Sequence, residues 1–190
     1  MVDLPLATRP GLPDDVAYLR ATFPRAGWVA HANYGELSAF WLSVHASLRD
    51  QAARTGAMLR ALADEAIDPA QVRRVFAPAL GQFLGHLDHH HRIEDEAYFP
   101  RFRALDARMV TGFDLLETDH DTIHAALSAT AEGGRAVIAA AGAGRDALRA
   151  AAARGAEASA RLAALLDRHL ADEEELVIPA LLAHTERAVG

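Results

Sequence analysis

Apolar residues, mostly alanine and leucine, recur along this chain every three to four positions, and the strand-like alternation of β-branched residues is almost absent. That spacing admits helices and little else, so the places where it breaks decide the fold. Asp68-Pro69 reads as an N-cap followed by proline at the first helical position. Pro100 to Asp106 makes a second break, and Gly142 with Gly144 a third. The breaks delimit helices near 33–65, 69–99, 111–140 and 145–184. Pro78 and Pro179 are expected to kink or interrupt the second and fourth, and Gly133-Gly134 is the weakest point of the third. Leu37, Phe40, Trp41, Val44, Leu48 and Leu59 form the apolar stripe of the first. Short connections between long helices favour antiparallel neighbours. The expected fold is therefore all-α: an up-down-up-down four-helix bundle over residues 31–190, preceded by an irregular arm over 1–30.

Charge and cysteine count exclude several roles. A formal charge of -7 argues against nucleic acid and against an anionic membrane surface as partners. With no cysteine there are no disulfides or thiolate sites, so any metal must take nitrogen and oxygen ligands. The N-terminus lacks a basic start followed by an apolar run, and no stretch approaches a membrane span, which makes a cytoplasmic protein the expectation.

Three pairs stand out: His90 with Glu94, His120 with His124, and His169 with Glu173. Each is spaced i, i+4, a rotation of about 40°, so both members project from one helix face. His89 and His91 lie about 100° to either side of His90 and are expected in solvent. The acidic runs Glu94–Glu96 and Asp172–Glu175 are expected to be solvated apart from one inward member each, Glu94 and Glu173.

In an antiparallel hairpin, positions equidistant from the turn are level. The midpoint between His45 and the His90/Glu94 pair falls at Asp68-Pro69, the first break. From there to His120/His124 it is Ala107, and from His120/His124 to His169/Glu173 it is Asp146, beside the other two breaks. His45, His90, Glu94, His120, His124, His169 and Glu173 thus converge at one height as seven candidate metal ligands. Two carboxylates buried there cost several kcal/mol each without counter-charge, and a cation is the natural compensation. Seven donors exceed the four of a tetrahedral zinc site, whereas imidazoles with carboxylates in a bundle core suit two irons.

At these positions the chain resembles the hemerythrin-like, or HHE cation-binding, family, whose order H, HxxxE, HxxxH, HxxxE it repeats between about Asn33 and Leu182. The resemblance implies an oxo- or hydroxo-bridged pair of iron ions. His120, His124 and His169 would hold one iron and His45 and His90 the other, with Glu94 and Glu173 bridging. It further implies a dioxygen-binding protein for carriage, storage or sensing, with dioxygen or another small diatomic or peroxide as ligand. The competing expectations are a diiron enzyme acting on peroxide or nitric oxide, and a metal-stabilised interaction module. In the invertebrate oxygen carriers the last motif instead has a longer spacing to an aspartate. Around the site, His86 is expected at an interface, Tyr98 in packing, and Glu117 at the surface or beside the ligands.

Overall fold

A computed structural model describes residues 4–190, so the first three residues of the expected arm lie outside it. Among the described residues the chain is all helix and turn, with no strand. Four long helical rods follow one another. The first is α1 (Glu36–Ala63). The second joins α2 (Ala77–Ile93) and α3 (Phe99–Leu105), and the others are α4 (Val110–Ala140) and α5 (Arg145–His184).

Pro100 does not end its helix as the sequence suggests, and Pro78 and Pro179 do not interrupt theirs. The second rod holds two wide π-turns, Val72–Phe76 and Glu94–Tyr98. Pro78 and Pro100 each sit two residues past one of them. A proline inside a helix lacks an N–H and its ring strikes the carbonyl four residues back. Here that carbonyl, of Arg74 or Glu96, lies within the widened turn, and the rod continues to Leu105 instead of stopping near Phe99. Likewise α5 runs unbroken through Pro179, and α4 passes through Gly133-Gly134.

The chain divides into two compact units, each containing one stretch of every rod. Unit 1 comprises residues 1–46, 90–121 and 167–190, and unit 2 comprises 47–89 and 122–166. The core of unit 1 is aromatic. Phe99, Phe102 and Phe113 are fully buried, and the last two stack at 5.0 Å between ring centroids. Each such side chain contributes about 1.5–3 kcal/mol through burial. Residues 4–35 form turns and one short 3-10 turn, Arg25–Gly27, and their Leu12, Val16, Ala17 and Trp28 join this core. Glu186, near the C-terminus, caps α1 by accepting hydrogen bonds from the backbone of Gly35, Leu37 and Ser38 and from the Ser38 hydroxyl. A carboxylate there meets the positive end of the helix dipole. Phe40, placed in the apolar stripe by its spacing, is instead 61% exposed.

Unit 2 packs Leu59, Leu62, Val72, Phe76, Leu80, Val137 and Leu148. Two of its helices approach closely at Gly133, where an added Cβ would lie 3.2 Å from the Gly155 Cα. The small residues that weaken α4 as an isolated helix are what lets α5 lie against it. Replacing Gly133 by Val is expected to lower unfolding free energy by about 1–3 kcal/mol through overpacking. Gly142→Ala, which meets nothing within 4 Å, is expected to leave it unchanged or slightly raised in the same urea titrations.

Candidate metal centre

Unit 1 gathers two groups of side chains able to hold a metal ion: His91, Glu94, His120 and His169, and His45, His90, Glu94 and Glu173. Within each group the four ligand atoms lie within 4.8 Å of one another, close enough to share one ion. Glu94 belongs to both. The reason is helical geometry: with Glu94 as reference, His90 lies about 40° to one side and His91 about 60° to the other. One helix thereby supplies a histidine to each group and a carboxylate between them. The π-turn that relieves Pro100 begins at Glu94, whose carbonyl accepts from the Phe99 N–H. Such turns recur at functional sites.

Six of the seven residues expected from the sequence meet here, and His124 does not. Its side chain is 53% exposed and its Nε2 lies 2.9 Å from Asp88 Oδ1. The inward stripe of α4 runs through Phe113, Leu116, His120 and Ile123, so the step after His120 is three residues, which turns position 124 outward. His91, expected in solvent, is buried instead and stacks on His120 with ring centroids 4.0 Å apart. The 100° between His90 and His91 rules out one shared target, and the two histidines fall in different groups.

The acidic runs are also more inward than expected, since Asp172, Glu173 and Glu174 are all buried. The neighbours of the ligand candidates turn toward the next helix and meet the far nitrogens of its histidines. Glu174 Oε1 lies 3.0 Å from His45 Nδ1, and Asp95 Oδ1 lies 2.8 Å from His120 Nδ1. Asp119 Oδ2 faces His169 Nδ1 at 3.5 Å. A carboxylate behind a histidine fixes the tautomer and directs the other nitrogen's lone pair forward. Arg9 and Arg25 hold two of these carboxylates: Arg9 is paired with Asp119 and Asp172, and Arg25 with Glu174. Trp41, read from the sequence as apolar filling, donates its Nε1 hydrogen to Glu173 Oε1 at 2.6 Å.

The remaining residues take quieter places. His86 Nδ1 meets the Gln51 amide at 2.9 Å, Tyr98 packs edge-on to Trp41, and Glu117 pairs with Arg103 at the surface.

The inward atoms fit a cation. His45 Nε2, His90 Nε2, both oxygens of Glu94 and Glu173 Oε2 are buried without a hydrogen-bond partner, as are both nitrogens of His91, while the inward Nε2 atoms of His120 and His169 face each other at 3.1 Å. Buried polar atoms are nearly always paired, so such a concentration calls for a ligand. His90 Nε2 and Glu94 Oε1 approach to 3.1 Å, yet neither forms a hydrogen bond, as two lone-pair donors aimed at a common point would.

Protons alone balance these charges imperfectly. Burial holds the imidazolium of His90 down to about 3, and that of His91 well below its ordinary value. Burial, reinforced by the charge of Glu173, drives Glu94 well above the carboxylate range. In Glu173, burial is outweighed by the neighbouring His45, which keeps it ionised. Burial opposes protonation of His45 too, but Glu173 and Glu174 raise it from 6.5 to about 9.

This arrangement defines a helical metal-binding protein with histidine and carboxylate donors. Residues 37–181 match the hemerythrin HHE cation-binding domain model, and the chain belongs to that family. No curated protein and no solved structure matches it. No helix among the described residues is long and apolar enough to cross a membrane.

A histidine raised on folding stabilises fully below its unfolded value and loses that contribution as pH rises through the folded one. Glu94, also raised, acts in the same direction above its ordinary value of 4.5. Protein treated with a chelator should therefore lose thermal stability between pH 6.5 and about 9. A melting temperature that is flat or rising over that interval would contradict the His45 assignment.

Proposed function

We propose that the protein holds two iron ions, one in each group, and binds dioxygen for carriage, storage or sensing. In this reading His91, His120 and His169 serve one iron and His45, His90 and Glu173 the other, with Glu94 common to both. His91 takes the place that the sequence pattern suggested for His124. The observation that carries it is the pair of groups joined at Glu94, in which His45 Nε2, His90 Nε2, both oxygens of Glu94 and Glu173 Oε2 have no hydrogen-bond partner. Seven donors are too many for one tetrahedral ion, and mixed imidazole and carboxylate donors in a helical core suit a pair of irons.

As a ferrous pair, iron supplies two electrons to a small oxidant. The chain's own residues set the surroundings. Trp41 fixes one oxygen of Glu173 and leaves the other facing the group. Phe99, fully buried, lies over His120 with ring centroids 5.5 Å apart, and Trp41 lies edge-on to His45. Apolar walls of this kind favour an uncharged diatomic over charged or strongly hydrated ligands.

Protein produced with iron should contain about two iron ions per chain, as carboxylate-bridged bundle sites do, with charge-transfer absorption that bleaches on reduction and returns reversibly in air. One zinc per chain and no such bands would overturn the proposal. Sustained dioxygen release from added peroxide, or turnover of nitric oxide, would replace binding by an enzymatic role. His91→Ala should lower iron content to about one ion or fewer, while His124→Ala should leave it at the wild-type level. The reverse result would restore His124 to the site.

A further inference from the structure

The N-terminal segment reaches both metal groups by the same three-part relay. In one, Arg9 grips Asp119 through its two terminal nitrogens, Nη1 and Nη2, and Asp119 faces Nδ1 of His169. In the other, Arg25 Nη2 donates to Glu174 Oε2 at 2.6 Å, and the second oxygen of Glu174 meets Nδ1 of His45 at 3.0 Å. His169 belongs to one group and His45 to the other. Neither arginine lies on a rod; both come from the segment before α1.

Each link has a separate job. A carboxylate behind a histidine sets its tautomer and its aim. A buried carboxylate without counter-charge takes up a proton or turns away, so the arginine keeps Asp119 ionised and in place. The Arg9 side chain is 0% exposed, and two further donors are used: Nε on Asp172 at 2.8 Å and Nη1 on the Leu4 carbonyl at 2.8 Å. Arg168 holds the other oxygen of Asp172 at 2.5 Å. Arg25 is 62% exposed although its partner Glu174 is buried, which makes the second relay the weaker.

We propose that residues 4–35 are a docked strap whose Arg9 and Arg25 act as positioning residues for His169 and His45, so that strap docking and metal occupancy stabilise each other. The inference rests on the reading that both groups hold metal. Coupling of this kind is reciprocal: if the docked strap tightens metal binding, metal must tighten the strap by the same factor.

The test uses the full chain, stripped by chelator and titrated with cobalt(II), whose visible bands report the ligand field. Hydrogen exchange of residues 4–35 is followed in parallel. In the wild type, cobalt(II) should slow exchange across the strap. Arg9→Met should weaken cobalt(II) binding by about ten- to a hundredfold, alter the visible bands and abolish the slowing. Arg9→Lys should recover part of each effect, and Arg25→Met should show a smaller loss. Leu59→Ala, in the core of unit 2, controls for lowered stability and should bind cobalt(II) as the wild type does. Unchanged affinity in Arg9→Met and Arg25→Met, equal weakening in Leu59→Ala, or strap exchange indifferent to cobalt(II) would each overturn the inference. A wild type that binds no cobalt(II) would instead refute the metal reading beneath it.

Discussion

Glu94 is a carboxylate with both oxygens buried and neither hydrogen-bonded, set between a histidine on its left and another on its right along one helix. A carboxylate in that position costs several kcal/mol unless a positive charge or a proton meets it. Much of unit 1 can be understood as an answer to that cost. Histidines from all four rods turn a nitrogen toward Glu94 or Glu173. Their opposite nitrogens are met by Asp95, Asp119 and Glu174, and two of those carboxylates are met in turn by arginines. From the centre outward, metal-donor side chains, carboxylates and arginines follow one another, each holding the one inside it. The two-centre reading puts cations at the middle of that sequence.

Much of this was legible in the sequence. The helix count followed from spacing and from three breaks, and equidistance from those breaks brought His45, His90, Glu94, His120, His169 and Glu173 to one site because a helix rises by a constant step per residue. His124 and His91 exchanged places for a geometrical reason. Requiring all ligands to aim at a single point excludes His91, whereas two points separated by a shared carboxylate admit it. The i, i+4 rule that suggested His124 fails because the α4 stripe takes a three-residue step after His120.

The supporting charges were harder to read, again for physical reasons. Asp95, Asp119 and Glu174 are each the immediate sequence neighbour of a ligand candidate. A residue one step along a helix points about 100° away, which in a packed core is toward the flanking helix rather than toward water. Adjacency to a ligand was therefore the available signal. Arg9 carried none, since its partners are 110 and 163 positions distant and nothing local distinguishes it from a surface arginine. Pro100 misled because a proline's cost is expected to end a helix, whereas here a widened turn absorbs it; at Glu94 that turn sits where the two groups join.

Anomalous diffraction at the iron edge from crystals of iron-loaded protein tests the central claim most directly. Two peaks are expected, one among His91, His120 and His169 and one among His45, His90 and Glu173, each with an oxygen of Glu94 at about 2.0–2.2 Å, the usual metal–carboxylate distance. A single peak, or iron bound at His124 with His91 left free, would contradict it.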